Sequence, residues 1–364
     1  MATTTIRKAV ITHLATSPTD VSNITLTSAS LAAPGRKQVQ VRVLYSGFCG
    51  ADVNMAHGAY PLQRRTPLTP GYALVGTVVG LGPGTSARFA PGDTVAAVTV
   101  YGAEAERANV AEHLLVRVPA EVAARDDLLQ QVTALALDWN TAYGMVQGAG
   151  GRGLVGVRSA DVQPGQAVFV HGLSGAVGQG LTALCLLRGA VVYGTASKRN
   201  HAALREAGVR DVFEYTNKDW IAAMKAVGGV DAVFDPLGFE SWDESFSILK
   251  DKGLLLGYGG NQVSLSGSEE EMARSLWPYM GKLVVRGMLP FAGKRTGFYY
   301  IKPGTADCQD GLAALIELLR EGKIKVPIKA VWDLTAEGLK EAHQSWGKMA
   351  GMGSYLIRVG AERA

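Results

Sequence analysis

One stretch constrains the fold of this chain more than any other. Between residues 166 and 199, an apolar run from Ala167 to Val170 leads into glycines spaced G-x-x-G-x-x-G, and a helix-like segment and a second apolar run follow. This order predicts a βαβ unit. Such a turn lets the backbone approach a pyrophosphate, and the helix N-terminus offers it N–H groups. The spacing is not G-x-G-x-x-G, so the glycines need not have the roles known from that fingerprint, and a tight turn in another α/β protein is the alternative.

The end of the second predicted strand indicates which dinucleotide binds. An NAD site usually has a carboxylate there for the ribose 2′-OH, whereas no Asp or Glu occurs from Gln166 through Arg205. The hydroxyl and two cations of Ser197, Lys198 and Arg199 suit a 2′-phosphate instead, with a solvated charged loop as the alternative. We therefore expect NADPH rather than NADH. The turn residues expected to bind it are Gly172, Ser174, Gly175, Ala176, Val177 and Gly178.

Composition limits the class of protein and its partners. The 364 residues suggest two domains, and 47% hydrophobic with 19% charged residues is typical of a globular chain with a large core. The net charge of +4 is mild and no dense basic run occurs, so we expect no nucleic-acid partner. Three widely separated cysteines and an N-terminus without a secretory signal indicate a cytoplasmic protein. The apolar segment near residues 181–194 is interrupted by Arg188, so no membrane span is expected.

The pattern along the chain predicts an α/β protein. Residues 1 to about 120 read as short strands with glycine and proline turns, and Leu128 to Val146 has a helical pattern. Residues 166 to 290 alternate strand and helix, which implies a doubly wound parallel sheet with its ligand beyond the strand C-termini. Leu283 to Met288 is expected to be its last strand. The tail contains two further helix–strand pairs, and chain order alone does not say which domain they join.

Several segments, in order and at consistent spacing, resemble one enzyme family. They read YSGFCGADVNMAHGAY (45–60), PLTPGYALVGTVVGLG (67–82), PGDTVAA (91–97), NTAYGMV (140–146), HGLSGAVGQG (171–180), GTASKRNHAALREAG (194–208), DAVFDPLG (231–238) and IKVPIKAVWDL (324–334). Together they resemble the medium-chain dehydrogenases/reductases. Within that superfamily they look most like the zinc-free quinone oxidoreductase-like branch, which includes the synaptic vesicle amine transport protein and mitochondrial enoyl reductases.

The resemblance implies an architecture and an assembly. A GroES-like catalytic domain over residues 1–138 would be completed by a return segment, 296–364, with a Rossmann NADPH-binding domain, 139–295, inserted between them. In such enzymes the active site lies in the cleft between the domains. Pairing through the Rossmann domain commonly makes them homodimers, and we expect a homodimer here.

Zinc is not expected. Zinc-dependent relatives carry a Cys in a segment like the one around Cys49, and then a Gly-His-Glu. The second position reads Gly71, Tyr72 and Ala73 here, so the imidazole and carboxylate ligands are missing. Catalytic zinc normally needs three protein ligands. We expect no metal and regard Cys49 as a buried small hydrophobe.

Without zinc, the site needs a hydrogen-bond donor for a carbonyl oxygen. Tyr60 falls where enoyl reductases of this superfamily have a catalytic Tyr, and a phenol with a pKa of about 10 can donate at neutral pH. A cleft-wall tyrosine that only packs on substrate is the alternative. Asn54 is expected to orient the substrate or the nicotinamide amide, or else to cap a turn. His57 is a candidate proton relay, whereas His171 is expected to be structural.

The resemblance also implies further cofactor contacts. Ser197 matches the family, but the relatives' following Lys aligns with Asn200, so Lys198 and Arg199 depart from the pattern. Tyr215 falls where relatives have a tyrosine against the adenosine phosphate, with ordinary packing as the alternative. Two groups complete the set: Asn140 and Thr141, which would contact the nicotinamide end or fix the interdomain helix, and the strand-end residues Leu237, Gly238, Tyr258 and Gly259, which would line the cofactor cleft.

These expectations lead to one leading function and two alternatives. The leading one is an NADPH-dependent reductase of an activated C=C bond, with a small-molecule enone, quinone or enoyl thioester as substrate. The first alternative is a trans-acting enoyl reductase of a polyketide or fatty-acid synthase, whose partner would be an acyl carrier protein. The second is an NADPH-binding vesicle-associated or sensor protein with little turnover.

Overall fold

The chain divides into two compact units in a computed structural model. It describes residues 3–61, 63–147, 152–153, 156–157, 159–272, 274–288 and 293–360. Unit 1 comprises Met1–Leu137, Lys302–Ala350 and Ser354–Ala364, and unit 2 comprises Asp138–Ile301 and Gly351–Gly353. The sequence-based domain limits at residues 138 and 295 stay a prediction.

Strands and helices are mixed throughout the described residues. The strands are β1 (Thr3–Ile11), β2 (Ile24–Ala32), β3 (Gln38–Phe48), β4 (Ala73–Leu81), β5 (Thr94–Val98), β6 (Arg107–Ala111), β7 (Leu115–Arg117), β8 (Arg152–Gly153), β9 (Gly156–Val157), β10 (Ala167–Val170), β11 (Val191–Ala196), β12 (Asp211–Glu214), β13 (Val230–Asp235), β14 (Leu249–Gly257), β15 (Arg295–Phe298), β16 (Ile328–Asp333) and β17 (Ser354–Arg358). The helices are α1 (Gly50–Ala56), α2 (Ala120–Ala123), α3 (Asp126–Ala134), α4 (Asn140–Val146), α5 (Ala176–Leu187), α6 (His201–Glu206), α7 (Asp219–Ala226), α8 (Glu240–Ser247), α9 (Gln262–Ser266), α10 (Glu269–Met272), α11 (Trp277–Met288), α12 (Ala306–Arg320) and α13 (Ala336–Ser345).

Unit 1 contains a two-stranded sheet of β1 and β2 and a larger mixed sheet that the C-terminal strands complete. The strand order of the larger sheet is β16-β17-β3-β4-β5-β7, with β6 also paired to β3. In β3, Val39, Val41 and Val43 are fully buried and Arg42 is exposed, but Gln40 and Leu44 are also buried, so most of the strand is buried on both faces. Because β17 pairs antiparallel with β3, the C-terminal tail returns to the N-terminal sheet.

Unit 2 contains the βαβ unit predicted from the glycine turn. Its sheet has the order β12-β11-β10-β13-β14-β15-β9-β8, and the pairs from β12 to β15 are parallel. Strand β10, helix α5 and strand β11 follow one another in the chain, and Ala167 lies opposite Val191. The α/β class with a doubly wound parallel sheet is therefore confirmed.

The strand predicted over Leu283 to Met288 is wrong, because this stretch is the second half of helix α11. Leu283 is 2% exposed and packs into the core with Trp242 and Leu255, whereas Val285 and Met288 are 54% and 72% exposed. One buried stripe with exposed apolar neighbours has helical periodicity, and six residues are too few to distinguish it from a strand. The last parallel strand is β15, which begins at Arg295.

Candidate active site

The glycine turn leaves the N-terminus of α5 open to an anion. Gly172 has a φ of +72°, a left-handed conformation that favours glycine. A Cβ on Gly178 would lie 2.1 Å from the carbonyl oxygen of Gly172, so only hydrogen fits where the first helical turn packs on the loop. Helix α5 begins after Gly175 without a side-chain cap or an acidic residue in its first turn. The first amides of α5, which belong to Ala176 and Val177, therefore receive no capping side chain.

Two neighbouring segments fix the conformation of this turn. The carbonyl of Ser174 accepts a hydrogen bond from the Gly353 amide at 3.1 Å, so the short segment Gly351–Gly353 lies against the turn. On α5, a Cβ on Gly180 would lie 3.0 Å from Ala142 and 3.1 Å from Trp139. Helix α4, which begins with Asn140 and Thr141, therefore packs closely on α5 one turn beyond the loop.

Both predicted cations follow the end of β11, and a carboxylate from the neighbouring strand β12 lies beside them. Ser197 is half-buried, and Lys198 and Arg199 are exposed. The backbone N–H of Lys198 donates to Glu214 Oε2 at 2.7 Å. Glu214 reaches this position because it ends β12, where it lies opposite Ala196 in the parallel register. Only this tertiary pairing reveals it, because Glu214 lies beyond the sequence window that contained no acid.

Tyr215, the residue after Glu214, is 61% exposed. It lies directly after β12, next to the strand end that carries Ser197. An exposed ring beside this edge is available to a ligand, and ordinary packing does not account for it.

The ends of β13 and β14 meet beside the turn. Asp235 ends β13; its Oδ1 accepts from the Leu237 amide at 2.8 Å, and its carbonyl accepts from the Tyr258 amide at 3.1 Å. A Cβ on Gly238 would lie 3.3 Å from the carbonyl oxygen of Gly259, so the two loops are in contact. Burial raises the pKa of the Tyr258 phenol, and Asp235 adds to the effect. The four predicted strand-end residues are thus brought together at one edge of the sheet.

A buried hydrogen-bond network connects this edge to the glycine turn. The Ser245 hydroxyl donates to Asp235 Oδ2 at 2.7 Å and lies 3.0 Å from Nε2 of His171. The other ring nitrogen of His171 lies 3.3 Å from the Thr195 hydroxyl, which accepts from the Gly172 amide at 3.2 Å. Burial lowers the pKa of His171, so the ring is neutral. His171 is 3% exposed, in keeping with the structural role expected for it.

In unit 1, Tyr60 forms a hydrogen-bonded pair with Tyr72. Their hydroxyl oxygens are 2.7 Å apart and their rings meet edge to face. Burial raises the pKa of Tyr60 to about 12, and burial together with the Tyr60 charge raises that of Tyr72 further. Both phenols are therefore protonated at neutral pH. Sequence reasoning noted Tyr72 only as the replacement for a zinc-binding imidazole and did not find this contact.

Helix α1 carries the other two residues predicted for catalysis. Asn54 is 9% exposed and lies inside the helix, so it does not cap it. His57 is the C-cap of α1; its Nδ1 lies 2.9 Å from the Val53 carbonyl oxygen, and its buried Nε2 has no hydrogen-bond partner among the described residues. Burial lowers the pKa of His57. Tyr60 has a hydrogen-bond partner in Tyr72, and the proton relay expected of His57 stays a prediction.

Cys49 is the N-cap of α1 rather than a buried hydrophobe. Its Sγ accepts from the Ala51 amide at 3.4 Å, and Asp52 Oδ2 accepts from the Cys49 amide at 2.9 Å, which completes a capping box. The side chain is only partly buried. The expectation was therefore wrong in its physical basis, because the sulfur serves a helix end.

Asp52 and Glu104 are two fully buried carboxyl groups close to the tyrosine pair. Asp52 Oδ1 accepts from the amide of Gly71, the residue before Tyr72. Among the residues that the structure describes, none is a hydrogen-bond partner of either Glu104 oxygen, although the side chain is completely buried. Burial raises the pKa of Asp52 to about 6, and burial together with the Asp52 charge raises that of Glu104 well above its usual range. Sequence reasoning missed this pair, since neither position stands out in the chain.

Two parts of the chain match known protein families. Residues 35–120 match the alcohol dehydrogenase GroES-like domain, and residues 176–289 match the zinc-binding dehydrogenase family. The first match lies in unit 1 and the second in unit 2. The chain belongs to the medium-chain dehydrogenase/reductase superfamily.

This medium-chain dehydrogenase/reductase is similar to proteins of several names. It is 29% identical over 344 residues to the human synaptic vesicle membrane protein VAT-1 homolog. The aligned region covers 92% of this chain and 82% of that protein. It is 27% identical over 246 residues to human quinone oxidoreductase, or 66% of this chain and 70% of the relative. The structure of Escherichia coli quinone oxidoreductase complexed with NADPH has a TM-score of 0.77, with 20% identity over 97% of this chain and 99% of that one. At this identity the structural likeness shows the shared fold.

The family and the turn together support a nicotinamide cofactor. The turn has a position that only glycine can occupy and an uncapped helix N-terminus, which are the features a pyrophosphate needs. Among the residues with described positions, no helix has the length and apolarity needed to cross a bilayer.

Proposed function

We propose that this protein is an NADPH-dependent reductase that transfers a hydride to an activated C=C bond of an enone, a quinone or an enoyl thioester, without zinc. The observation that carries the proposal is the tyrosine pair, in which the Tyr60 hydroxyl lies 2.7 Å from that of Tyr72. With a pKa raised to about 12 by burial, Tyr60 stays protonated. It can therefore donate to a substrate oxygen on which negative charge develops.

NADPH, when bound, supplies the hydride. The turn from Gly172 to Gly178 and the uncapped end of α5 would bind its pyrophosphate. Ser197 and the exposed Lys198 and Arg199 would bind its 2′-phosphate through charge-assisted hydrogen bonds. The other contacts that we propose are Asn140, Thr141, Tyr215, Leu237, Gly238, Tyr258 and Gly259.

The substrate is activated by residues of unit 1. Hydride addition to the β carbon moves charge to the carbonyl oxygen, where Tyr60 donates its hydrogen bond. Tyr72 orients the Tyr60 hydroxyl through their shared hydrogen bond. A proton from solvent then adds to the α carbon, so that one hydride and one proton together saturate the C=C bond. Asn54 orients the substrate or the nicotinamide amide.

Zinc independence is supported by the contacts of the side chains that stand where zinc-dependent relatives have metal ligands. Cys49 caps α1 and Tyr72 bonds to Tyr60. Within the described parts of the chain, no group of three or more His, Cys, Asp or Glu side chains could hold a metal ion. The family that matches residues 176–289 is nevertheless described as zinc-binding, so elemental analysis is a necessary part of the test.

We further propose a cytoplasmic homodimer that acts on free small molecules, with an acyl carrier protein as the alternative partner. None of the three cysteines, all at described positions, forms a disulfide bond, which suits a reducing compartment.

A second candidate function is an NADPH-binding vesicle-associated or sensor protein with little turnover. The likeness to a protein named as a synaptic vesicle membrane protein favours that candidate.

One assay separates the two functions. NADPH binding is measured by nicotinamide fluorescence, and its oxidation is then followed with phenanthrenequinone, cyclohexenone and a crotonyl thioester, with and without a chelator. We expect oxidation that the chelator does not change, and well under one metal ion per chain. Tight binding without oxidation of NADPH by any of these substrates would favour the sensor. Absence of NADPH binding would reject both functions.

A further inference from the structure

Glu214 brings a negative charge to the edge where the adenosine end of the cofactor is proposed to bind. Its Oε2 accepts the Lys198 backbone N–H at 2.7 Å. Because β11 and β12 are parallel and Ala196 lies opposite Glu214, the carboxylate stands at the C-terminal edge of the sheet, next to Ser197. The side chain is half-buried. The hydrogen bond from the Lys198 backbone holds the Glu214 carboxylate at this edge, so the side chain does not extend into solvent.

A carboxylate at this position has opposite effects on the two nicotinamide cofactors. The 2′-hydroxyl of NADH donates to such a carboxylate in dinucleotide-binding folds. The 2′-phosphate of NADPH is repelled by it, since both groups are negative. Lys198 and Arg199, which are exposed one and two positions after Ser197, attract the phosphate. The same edge therefore combines two cations that favour NADPH with one anion that opposes it.

We propose that Glu214 is a specificity-determining residue that limits the preference of this site for NADPH and allows NADH to bind as well. The inference rests on the proposed function, because it needs a nicotinamide dinucleotide at the glycine turn. It also changes the expectation drawn from the βαβ unit. The absence of an acid within that unit does not make the adenosine site free of acids, since the adjacent strand contributes one.

The test is a pair of dissociation constants, for NADPH and NADH, measured by fluorescence titration in the wild-type protein and in Glu214→Gln. The amide oxygen of Gln can still accept the Lys198 N–H, so the loop keeps its bond while the charge is removed. We expect the dissociation constant for NADPH to fall about tenfold and that for NADH to rise severalfold. The gain for NADPH should shrink at high ionic strength, because salt screens exposed charges.

Asp211 provides a matched control on the same strand. It is exposed and begins β12, so Asp211→Asn removes one charge from the opposite end of the strand. Both dissociation constants should stay within twofold of wild type. If Glu214→Gln unfolds, Glu214→Ser gives a second removal of the carboxylate and should move the ratio in the same direction.

The outcomes are distinguishable. An unchanged ratio of the two dissociation constants in both Glu214 variants would overturn the proposal and leave Glu214 as a cap of the Lys198 turn. A wild-type preference for NADPH of more than a thousandfold would also contradict it, since Glu214 would then limit nothing. A wild-type protein that binds neither cofactor would instead reject the proposed function, and the specificity proposal with it.

Discussion

Activation of a carbonyl group without zinc requires a hydrogen-bond donor that stays protonated at neutral pH. Tyr60 meets this requirement. Burial raises its pKa to about 12, and its hydroxyl is oriented by a hydrogen bond of 2.7 Å to Tyr72. Tyr72 is 7% exposed, and its hydroxyl contacts that of Tyr60. We therefore propose Tyr60 as the donor and Tyr72 as a positioning residue.

Tyr60→Phe should lower turnover by roughly 10²-fold, because the ring remains while the donor is lost. Tyr72→Phe should lower it by about tenfold and leave the KM for substrate nearly unchanged, since it removes only the orientation of Tyr60. Steady-state kinetics with an enone measure both. Tyr45→Phe is the control, because Tyr45 bonds to Asp126 elsewhere in unit 1. A near-normal rate in Tyr60→Phe would leave Tyr60 as a wall residue.

The buried carboxyls predict how stability depends on pH. Burial raises the pKa of Asp52 from 3.8 to about 6 and that of Glu104 well above its usual range. The folded protein thus keeps protons that the unfolded chain releases, and the free energy of unfolding should fall as pH rises from about 4 through 6 and beyond. Glu104→Gln should lessen this fall between pH 5 and pH 8 by roughly 1–3 kcal/mol. Urea unfolding at the two pH values measures it.

Glu121→Gln is the control for that experiment. Glu121 is exposed and lies 3.6 Å from Arg320, so its replacement should leave the pH dependence of stability as in wild type. If Glu104→Gln and wild type lose the same stability between pH 5 and pH 8, the buried pair does not hold the protons assigned to it.

The sequence marked candidate side chains where a family motif contains them, and it missed side chains whose neighbours are set by tertiary contacts. Tyr60, Ser197 and the turn glycines stand in recognisable segments. Glu214 and Tyr72 have hydrogen-bond partners 16 and 12 positions away in the chain. Glu104 interacts with Asp52, which is much further away in the sequence. No local pattern encodes such contacts, because strand register and loop packing create them.

At the scale of elements, the turn between β10 and α5 is the part on which the proposed cofactor binding depends. The carbonyl oxygen of Gly172 would meet a Cβ on Gly178 at 2.1 Å, and neither backbone segment can withdraw without displacing the helix. Gly178→Ala should therefore destabilise the protein by roughly 1–3 kcal/mol and weaken NADPH binding. Urea midpoints and a fluorescence titration measure the two effects.

Gly281 in α11 provides the matched control. A Cβ there would meet nothing within 4 Å, and the position is an exposed helix interior. Gly281→Ala should therefore stabilise the protein by up to about 1 kcal/mol and leave NADPH binding unchanged. A Gly178→Ala protein with wild-type stability and affinity would contradict the role given to the turn.

Elements with a clear period were predictable, whereas short apolar runs were not. The βαβ unit and the tail helices α12 and α13 are confirmed. The strand predicted over Leu283 to Met288 was wrong because its apolar residues are nearly continuous in the sequence. Helix α11 buries Leu283 but exposes Val285 and Met288. Which side of such a run faces a core is decided by packing and not by the run itself.

At the scale of the whole molecule, the two units combine distant parts of the chain. The sequence pattern left open where the tail belongs, and the family resemblance implied the answer that the pairing of β17 with β3 confirms. We propose, as the central claim, that unit 2 binds NADPH and that unit 1 supplies the phenol that activates the substrate.

The fate of the hydride tests that claim most directly. The protein is supplied with NADPH carrying deuterium at the transferable position of the nicotinamide ring, with an enone as substrate and a chelator present. We predict a saturated ketone with one deuterium on the β carbon, located by NMR and mass spectrometry. Deuterium on the carbonyl carbon of an allylic alcohol, or a reaction that needs added zinc, would contradict the claim.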